Sequence, residues 1–295
     1  NGLSEAGAYI ERLDGLLSAT DEESEISALM NSKGAPVKVS EETFDLLSRA
    51  LELSETFGDS FELTLRPVSK AWGFTTGKYR IPADEELSGL LELVDDGRVE
   101  LDETEKTVTL PEGMMLDLGA VAKGYAADGA AKILKEHGTK AGLLDLGSST
   151  ILAFGSKPDG SKWKIALRNS TSAESFVGTI DLDEGAVSTS GGYERCFYGE
   201  DGETYWHIID PETGRPARTG VSSVTVVTES ALYGDALSTA LFVMGPDEAE
   251  LLWRERGDFE YLMILEDGRL LISAGLDGIF APHGSFEQAE KDVIR

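Results

Sequence analysis

The chain has 295 residues, which leaves room for two domains of roughly 150 residues or one larger α/β body. It carries 26 Lys and Arg against 54 Asp and Glu, a formal net charge of −28. That excludes a general nucleic-acid binder and attachment to an anionic membrane through basic residues, because both need a basic surface. A 41% hydrophobic and 27% charged composition supplies enough apolar material for a core and excludes intrinsic disorder.

The start, Asn1-Gly2-Leu3-Ser4-Glu5, has neither a charged opening nor an apolar h-region. The expectation is a cytosolic protein or a targeting segment outside this sequence. No apolar run approaches the ~20 residues that span a bilayer. A first helix is predicted over 6–17, with Ile10, Leu13, Leu16 and Leu17 on one face. A short turn follows over 25–30. Ser40 caps a second helix lined by Phe44, Leu47 and Leu51, which Phe57-Gly58 ends. Residues 60–82 mix aromatics, Pro and Gly without a period and read as an ordered surface loop. A helix over 84–94 precedes strands near 98–101 and 106–110, and 114–118 reads as a strand end. An alanine-rich helix spans 122–137, stopped by Gly138. Strands follow at 141–146, 151–155, 162–167, 176–182 and 185–190. Asp201-Gly202 and Asp267-Gly268 mark two hairpins. Between them lie a strand over 221–227, a helix over 230–244 and another over 246–256 that opens on Pro246. Cys196 is the single cysteine, so an intrachain disulfide and Cys-rich metal sites are excluded. Helices first, then strands interrupted by helices, indicate an α+β fold with antiparallel sheet.

Four segments carry more polar chemistry than loops require. Leu116-Asp117-Leu118-Gly119-Ala120-Val121-Ala122-Lys123-Gly124-Tyr125 places a carboxylate, a flexible turn and a lysine at a helix entry. Free N–H groups and the positive dipole end there favour a phosphate, and Lys123 adds a point charge. The alternative is a tight turn with Lys123 in solvent. Thr189 and Ser190, before Gly191 and Gly192, offer hydroxyls at a strand end; such groups can donate to phosphate oxygens or serve a plain turn. His207 stands near Asp210 in an alternating segment, as a general base beside a carboxylate would. Asp235 and Thr239 are i and i+4 on one helix face with Ser238 beside them. This is a hard-oxygen set suited to Mg²⁺, or else side chains that bond the preceding backbone.

These segments, in this order, resemble the ApbE family of FAD:protein FMN transferases. The likeness runs from Ser24-Glu25-Ile26-Ser27 and Asn31 through Gly58-Asp59-Ser60-Phe61-Glu62-Leu63-Thr64 and Pro67…Trp72-Gly73-Phe74. It continues in Asp117-Leu118-Gly119, Ala122-Lys123-Gly124-Tyr125, Thr189-Ser190-Gly191, His207-Ile208-Ile209-Asp210-Pro211-Glu212-Thr213-Gly214 and Asp235-Ala236-Leu237-Ser238-Thr239. The resemblance implies one domain over 1–295 with a T-fold-like α+β body of mixed or antiparallel sheet and packed helices. It implies a Mg²⁺-dependent enzyme outside the cytoplasmic membrane, often lipid-anchored, whose anchor would precede Asn1. Such an enzyme cleaves FAD and moves FMN onto a threonine of an acceptor flavoprotein, releasing AMP. Carried onto matching positions, Asp235 and Thr239 are metal ligands, with Ser238 close by and the Ala120 carbonyl completing the set. Ser60, Phe61, Glu62, Asp117, Lys123 and Ile209 would contact FAD, beside the Thr189 and Ser190 hydroxyls. His207 would deprotonate the acceptor threonine.

The chain departs from the family pattern in four places. No counterpart of the family's first strand precedes Asn1. Phe61-Glu62-Leu63-Thr64 stands where many relatives have Phe-Asp-Pro-Thr, and Gly147-Ser148-Ser149 where Gly-Gly-Asn is frequent. Thr20 occupies the position of an aromatic residue, and a lost stacking platform for the adenine is worth about 1–3 kcal/mol. That departure supports one alternative, an FAD pyrophosphatase yielding FMN and AMP; a flavin-binding protein without turnover is a second, against which His207 and Asp235 speak, since a passive binder needs neither a base nor a metal.

Overall fold

A computed structural model describes residues 1–169 and 172–295. Helix α1 (Gly2–Leu17) starts earlier than expected, because Asn1 Oδ1 accepts the Leu3 N–H and caps it. Helix α2 (Glu25–Met30) is capped by Ser24, and α3 (Glu41–Phe57) by Ser40, whose hydroxyl accepts the Thr43 N–H. Between them lies a two-residue strand that the sequence did not announce, β1 (Val37–Lys38). The expected surface loop over 60–82 is corrected. It contains helix α4 (Arg66–Trp72), with Pro67 in its first turn and Gly73 at φ 85° as its stop. Two turns are too short to show a 3.6-residue period, and its aromatics Trp72 and Phe74 are buried.

Helix α5 (Asp84–Leu91) is followed by β2 (Glu100–Asp102) and β3 (Thr107–Thr109). The strand end expected at 114–118 is only an isolated parallel bridge, Leu65 to Met115. Helix α6 (Ala122–Glu136) leads into β4 (Gly142–Leu146), β5 (Thr150–Phe154), β6 (Trp163–Asn169), β7 (Ser172–Leu182) and β8 (Gly185–Gly191). The Asp201-Gly202 turn joins β9 (Cys196–Tyr198) to β10 (Thr204–Trp206). After β11 (Val221–Thr228) comes α7 (Ala231–Arg256), broken at Gly245, where φ is 77°. The two helices expected there are therefore two rods about a glycine kink, the second restarted by Pro246. Strands β12 (Glu260–Leu265) and β13 (Leu270–Ser273) form the second hairpin. The short β14 (Phe280–Pro282) and β15 (Lys291–Ile294) close the chain.

These elements gather into two compact units. The sheet unit comprises Asn1–Ala6, Lys123–Glu194 and Arg218–Arg295. Its seven-stranded sheet has the order β15-β13-β12-β11-β8-β5-β4, antiparallel except for β13 with β15. A three-stranded sheet, β14-β7-β6, shares a core with it through Ile165, Val177, Ile180, Leu262, Ile272 and Phe280. Helix α7 packs on β8 and β11. The helical unit comprises Gly7–Ala122 and Arg195–Ala217. It carries the small sheet β1-β3-β2, the β9–β10 hairpin and a core of Val68, Trp72, Phe74, Leu87 and Ile209. The α+β class with a mixed, mainly antiparallel sheet is as expected.

Candidate functional site

In the sheet unit, two helices hold one another at their amino ends. Helix α7 begins where Asp128 of α6 accepts the Ala231 N–H on Oδ1, and the Leu232 N–H and Ser230 hydroxyl on Oδ2. One turn later the gift is returned: Asp235 Oδ2 accepts the Gly124 N–H at 2.6 Å. Each carboxylate thus fills orphan donors at the start of the other helix and lies at its positive dipole end. Gly124 makes this approach possible, since a Cβ there would stand 2.2 Å from the Ala231 carbonyl oxygen.

The second oxygen of Asp235 is equally well held. Thr150, fully buried at the start of β5, donates its hydroxyl to Oδ1 at 2.6 Å. Asp235 itself is only 6% exposed. Burial pushes its carboxyl up to about 6, against the Thr150 hydroxyl, the Lys123 charge, Ser188 and the Gly124 N–H, which favour the charged form. Lys123, in the first turn of α6, donates to the Ser149 hydroxyl.

One turn along α7, the Ser238 and Thr239 hydroxyls donate to the Asp235 carbonyl at 3.0 and 3.3 Å. With the Ser238 proton so placed, Ser190 of β8 is the donor to Ser238 at 2.8 Å, and it lies 3.2 Å from Thr239. The backbone-bonding alternative is therefore realised for Thr239 but not for Asp235, whose carboxylate meets Gly124 and Thr150, and the hydroxyl lone pairs remain for a cation. The donor set fits Mg²⁺: one buried carboxylate with a firmly fixed orientation, and neutral hydroxyl oxygens beside it. The set holds oxygen donors alone, without thiolate or imidazole, so it is not the kind a soft metal selects.

Thr189 and Ser190 part company. Successive strand residues face opposite sides, and the Thr189 hydroxyl meets Thr225 of β11 at 2.9 Å. Ser190 alone joins the Asp235 network.

In the helical unit, Glu62 Oε1 accepts both the N–H and the hydroxyl of Thr64, at 2.7 and 2.6 Å, and Oε2 accepts the Asp96 N–H. Asp96 in turn accepts the Leu63 N–H. Burial, and next the Asp96 charge, hold the Glu62 carboxyl above its ordinary value. The cleft beside it is lined by Glu52, Glu55, Asp59 and Asp95. Asp117 donates its N–H to the Leu63 carbonyl and accepts the Gly119 N–H, which fixes the turn that contains Ala120. Ser60 is half-buried at the end of a single 3-10 turn. Phe61 and Ile209 are core side chains, Phe61 edge-on to Phe57 and Ile209 packed with Trp72. Thr20 is exposed, in a loop pinned by Arg66, which donates to the Ala19 carbonyl.

His207 follows β10 directly and extends the hairpin by donating its N–H to the Arg195 carbonyl. Asp210 Oδ1 accepts the Glu212 N–H and Oδ2 the Thr213 hydroxyl, an Asx turn that shapes Asp210–Gly214. Trp72 anchors that loop by donating to the Gly214 carbonyl at 2.8 Å. Three residues of the sheet-unit network, Asp128, Thr150 and Ser188, carried no signal in the sequence, and Ser149 stood out only as a departure from the family pattern. A Thr on a buried strand looks like ordinary β-branched packing.

A family model described as the ApbE family matches residues 3–263. A relative from Treponema pallidum, named FAD:protein FMN transferase, is 34% identical over 290 residues, covering 93% of this chain and 80% of its own. A relative of the same name from Escherichia coli strain K12 is 31% identical, covering 86% of this chain and 74% of its own. Among solved structures, the ApbE protein of Thermotoga maritima superposes with a TM-score of 0.88 at 33% identity, covering 95% of this chain and 91% of that one. The Pseudomonas stutzeri flavinyl transferase ApbE in its apo form gives 0.83 at 29% identity, covering 96% and 89%.

Proposed function

This chain belongs to the ApbE family, and from that premise we propose that it is an FAD:protein FMN transferase acting on a threonine hydroxyl of an acceptor flavoprotein. The observation that carries the reading is the buried Asp235 carboxylate set among hydroxyls at the amino end of α6. Asp235, Ser238 and Thr239 would hold Mg²⁺, with the Ala120 carbonyl added by the resemblance. When bound, the ion neutralises charge that develops on the pyrophosphate as it is cleaved.

The chain's own residues supply the rest. Lys123 brings a positive charge to the first turn of α6, at the positive end of the helix dipole. A threonine hydroxyl is a weak nucleophile until its proton is taken, and His207 is the base assigned to that proton. The hydroxyl oxygen bonds the flavin-side phosphorus, the bond from that phosphorus to the bridging oxygen breaks, and AMP leaves with the electron pair. The product is an FMN–threonine phosphoester. Glu62 lies among carboxylates, so any contact it makes with FAD is with an uncharged part of the molecule rather than a phosphate.

The deciding experiment mixes the protein, FAD and Mg²⁺ with a candidate acceptor. Covalent addition of FMN by mass spectrometry and an equal release of AMP are the expected results. Free FMN formed equally fast without acceptor would favour the pyrophosphatase, a reading that the small, exposed Thr20 supports. FAD bound tightly with neither product would leave a binder. In the same assay His207→Ala should slow transfer about 10²–10⁴-fold with FAD binding retained, because the hairpin bond at His207 uses only its backbone. The reading also implies a location outside the cytoplasmic membrane, which cell fractionation tests. Among the described residues no helix is long and apolar enough to cross a membrane.

A further inference from the structure

We propose that Thr150 is a positioning residue for the metal-binding carboxylate, fixing the rotamer in which Asp235 meets the cation. The proposal rests on the reading of Asp235 as a metal ligand and goes beyond it, because Thr150 belongs to none of the segments that carry the family resemblance.

Asp235 projects from α7 between two other elements, and each element supplies one donor. Gly124 of α6 holds Oδ2 and Thr150 of β5 holds Oδ1, both at 2.6 Å. An Asp side chain has two torsions, so two donors from different directions leave it one orientation. The Gly124 donor is a backbone group tied to the helix contact, whereas the Thr150 donor is a side chain that substitution can remove by itself. Its own place is secure. Thr150 is fully buried and pairs with Ser188 of β8, the strand that also carries Ser190 to the Ser238 and Thr239 hydroxyls. One strand pair therefore sets the spacing between the carboxylate and the neutral oxygens. Ligating carboxylates are commonly oriented this way, and losing such a hydrogen bond lowers metal affinity about 10–100-fold.

The test uses Mn²⁺ as the probe, titrated into the full chain without FAD and read by electron paramagnetic resonance of the free ion. Thr150→Val keeps the shape and removes only the hydroxyl, and it should weaken Mn²⁺ binding about 10–100-fold. Thr150→Ser restores the hydroxyl and should stay within about threefold of the parent. Melting temperatures in chelator monitor folding of both variants, and a purely structural role would lower them without separating Val from Ser in Mn²⁺ affinity. Equal Mn²⁺ affinity for the Val variant, with binding lost in Asp235→Asn, overturns the positioning role and leaves the metal site standing. Failure of the parent chain itself to bind Mn²⁺ overturns both.

Discussion

Asp235 is held in a conformation that suits a cation better than it suits an empty carboxylate. Burial raises its pKa from 3.8 to about 6, so in metal-free protein the folded state binds a proton more tightly than the unfolded chain does. The favourable contribution is complete below pH ~4 and is lost as pH rises through ~6. A shift of about two units corresponds to about 3 kcal/mol. Asp235→Asn removes that loss, and the Thr150 hydroxyl can turn to accept from the new amide while Gly124 keeps its acceptor. In chelator at pH 7.5 the variant should therefore melt higher than the parent, and the advantage should disappear near pH 4. Adding Mg²⁺ should raise the melting temperature of the parent alone. A variant that melts lower in chelator at pH 7.5 would mean that the carboxylate stabilises the fold without a cation. The residue is visible in the sequence as part of an Asp-Ala-Leu-Ser-Thr segment, but its burial is not. The partners that bury it are 85 and 111 residues away in the chain.

At the scale of elements, the α6–α7 contact is the device that positions the site, and glycine makes it possible. Gly124→Ala must move the Ala231 carbonyl by roughly an ångström, because the added Cβ would meet it at 2.2 Å. That separation also pulls the Gly124 N–H from Asp235 and Asp128 from the first turn of α7. Losses of about 1–3 kcal/mol for each buried polar group left unpaired are ordinary. Gly15→Ala in α1 is the matched control, since nothing stands within 4 Å of its Cβ and helix propensity favours Ala by about 1 kcal/mol. Urea denaturation should show the first variant markedly destabilised and the second unchanged or stabilised. Elements whose limits are set locally are legible in the sequence: Ser24, Ser40 and Ser230 each stand at the start of a helix and cap it. Elements that exist through a partner are not. The short α4 is secured by its Trp72 in the core, and β14 and β15 pair with strands earlier in the chain, β14 with β7 and β15 with β13. Asp210 is the converse case: its turn chemistry is local, with both oxygens accepting from residues two and three positions on, and the turn is legible in the sequence.

The whole molecule carries its −28 mostly as surface carboxylate, and two opposing salt effects follow. Exposed pairs such as Arg254–Glu250, Lys164–Asp181 and Arg256–Asp258 weaken on screening, but each is worth only about 0–1 kcal/mol. Self-repulsion acts among all the excess acids at once and reaches ~30 Å at about 0.01 M salt, against ~10 Å at about 0.1 M. With acids outnumbering bases about two to one, repulsion outweighs the ion pairs and screening should stabilise the folded chain. Raising NaCl from about 0.01 M to about 0.3 M at pH 7.5 should therefore raise the melting temperature. The gain should shrink as pH falls into the carboxylate range of about 4–5, where the excess charge is titrated away. Chelator in every sample keeps a bound divalent ion from imitating the effect. A melting temperature that falls with salt at pH 7.5 would show that the surface ion pairs outweigh the net charge. The same field bears on FAD, a dianion approaching a molecule of like sign. On the function proposed above, Lys123 and the ion that Asp235 would hold are the local cations that offset this repulsion, and the association rate of FAD should rise over the same range of NaCl.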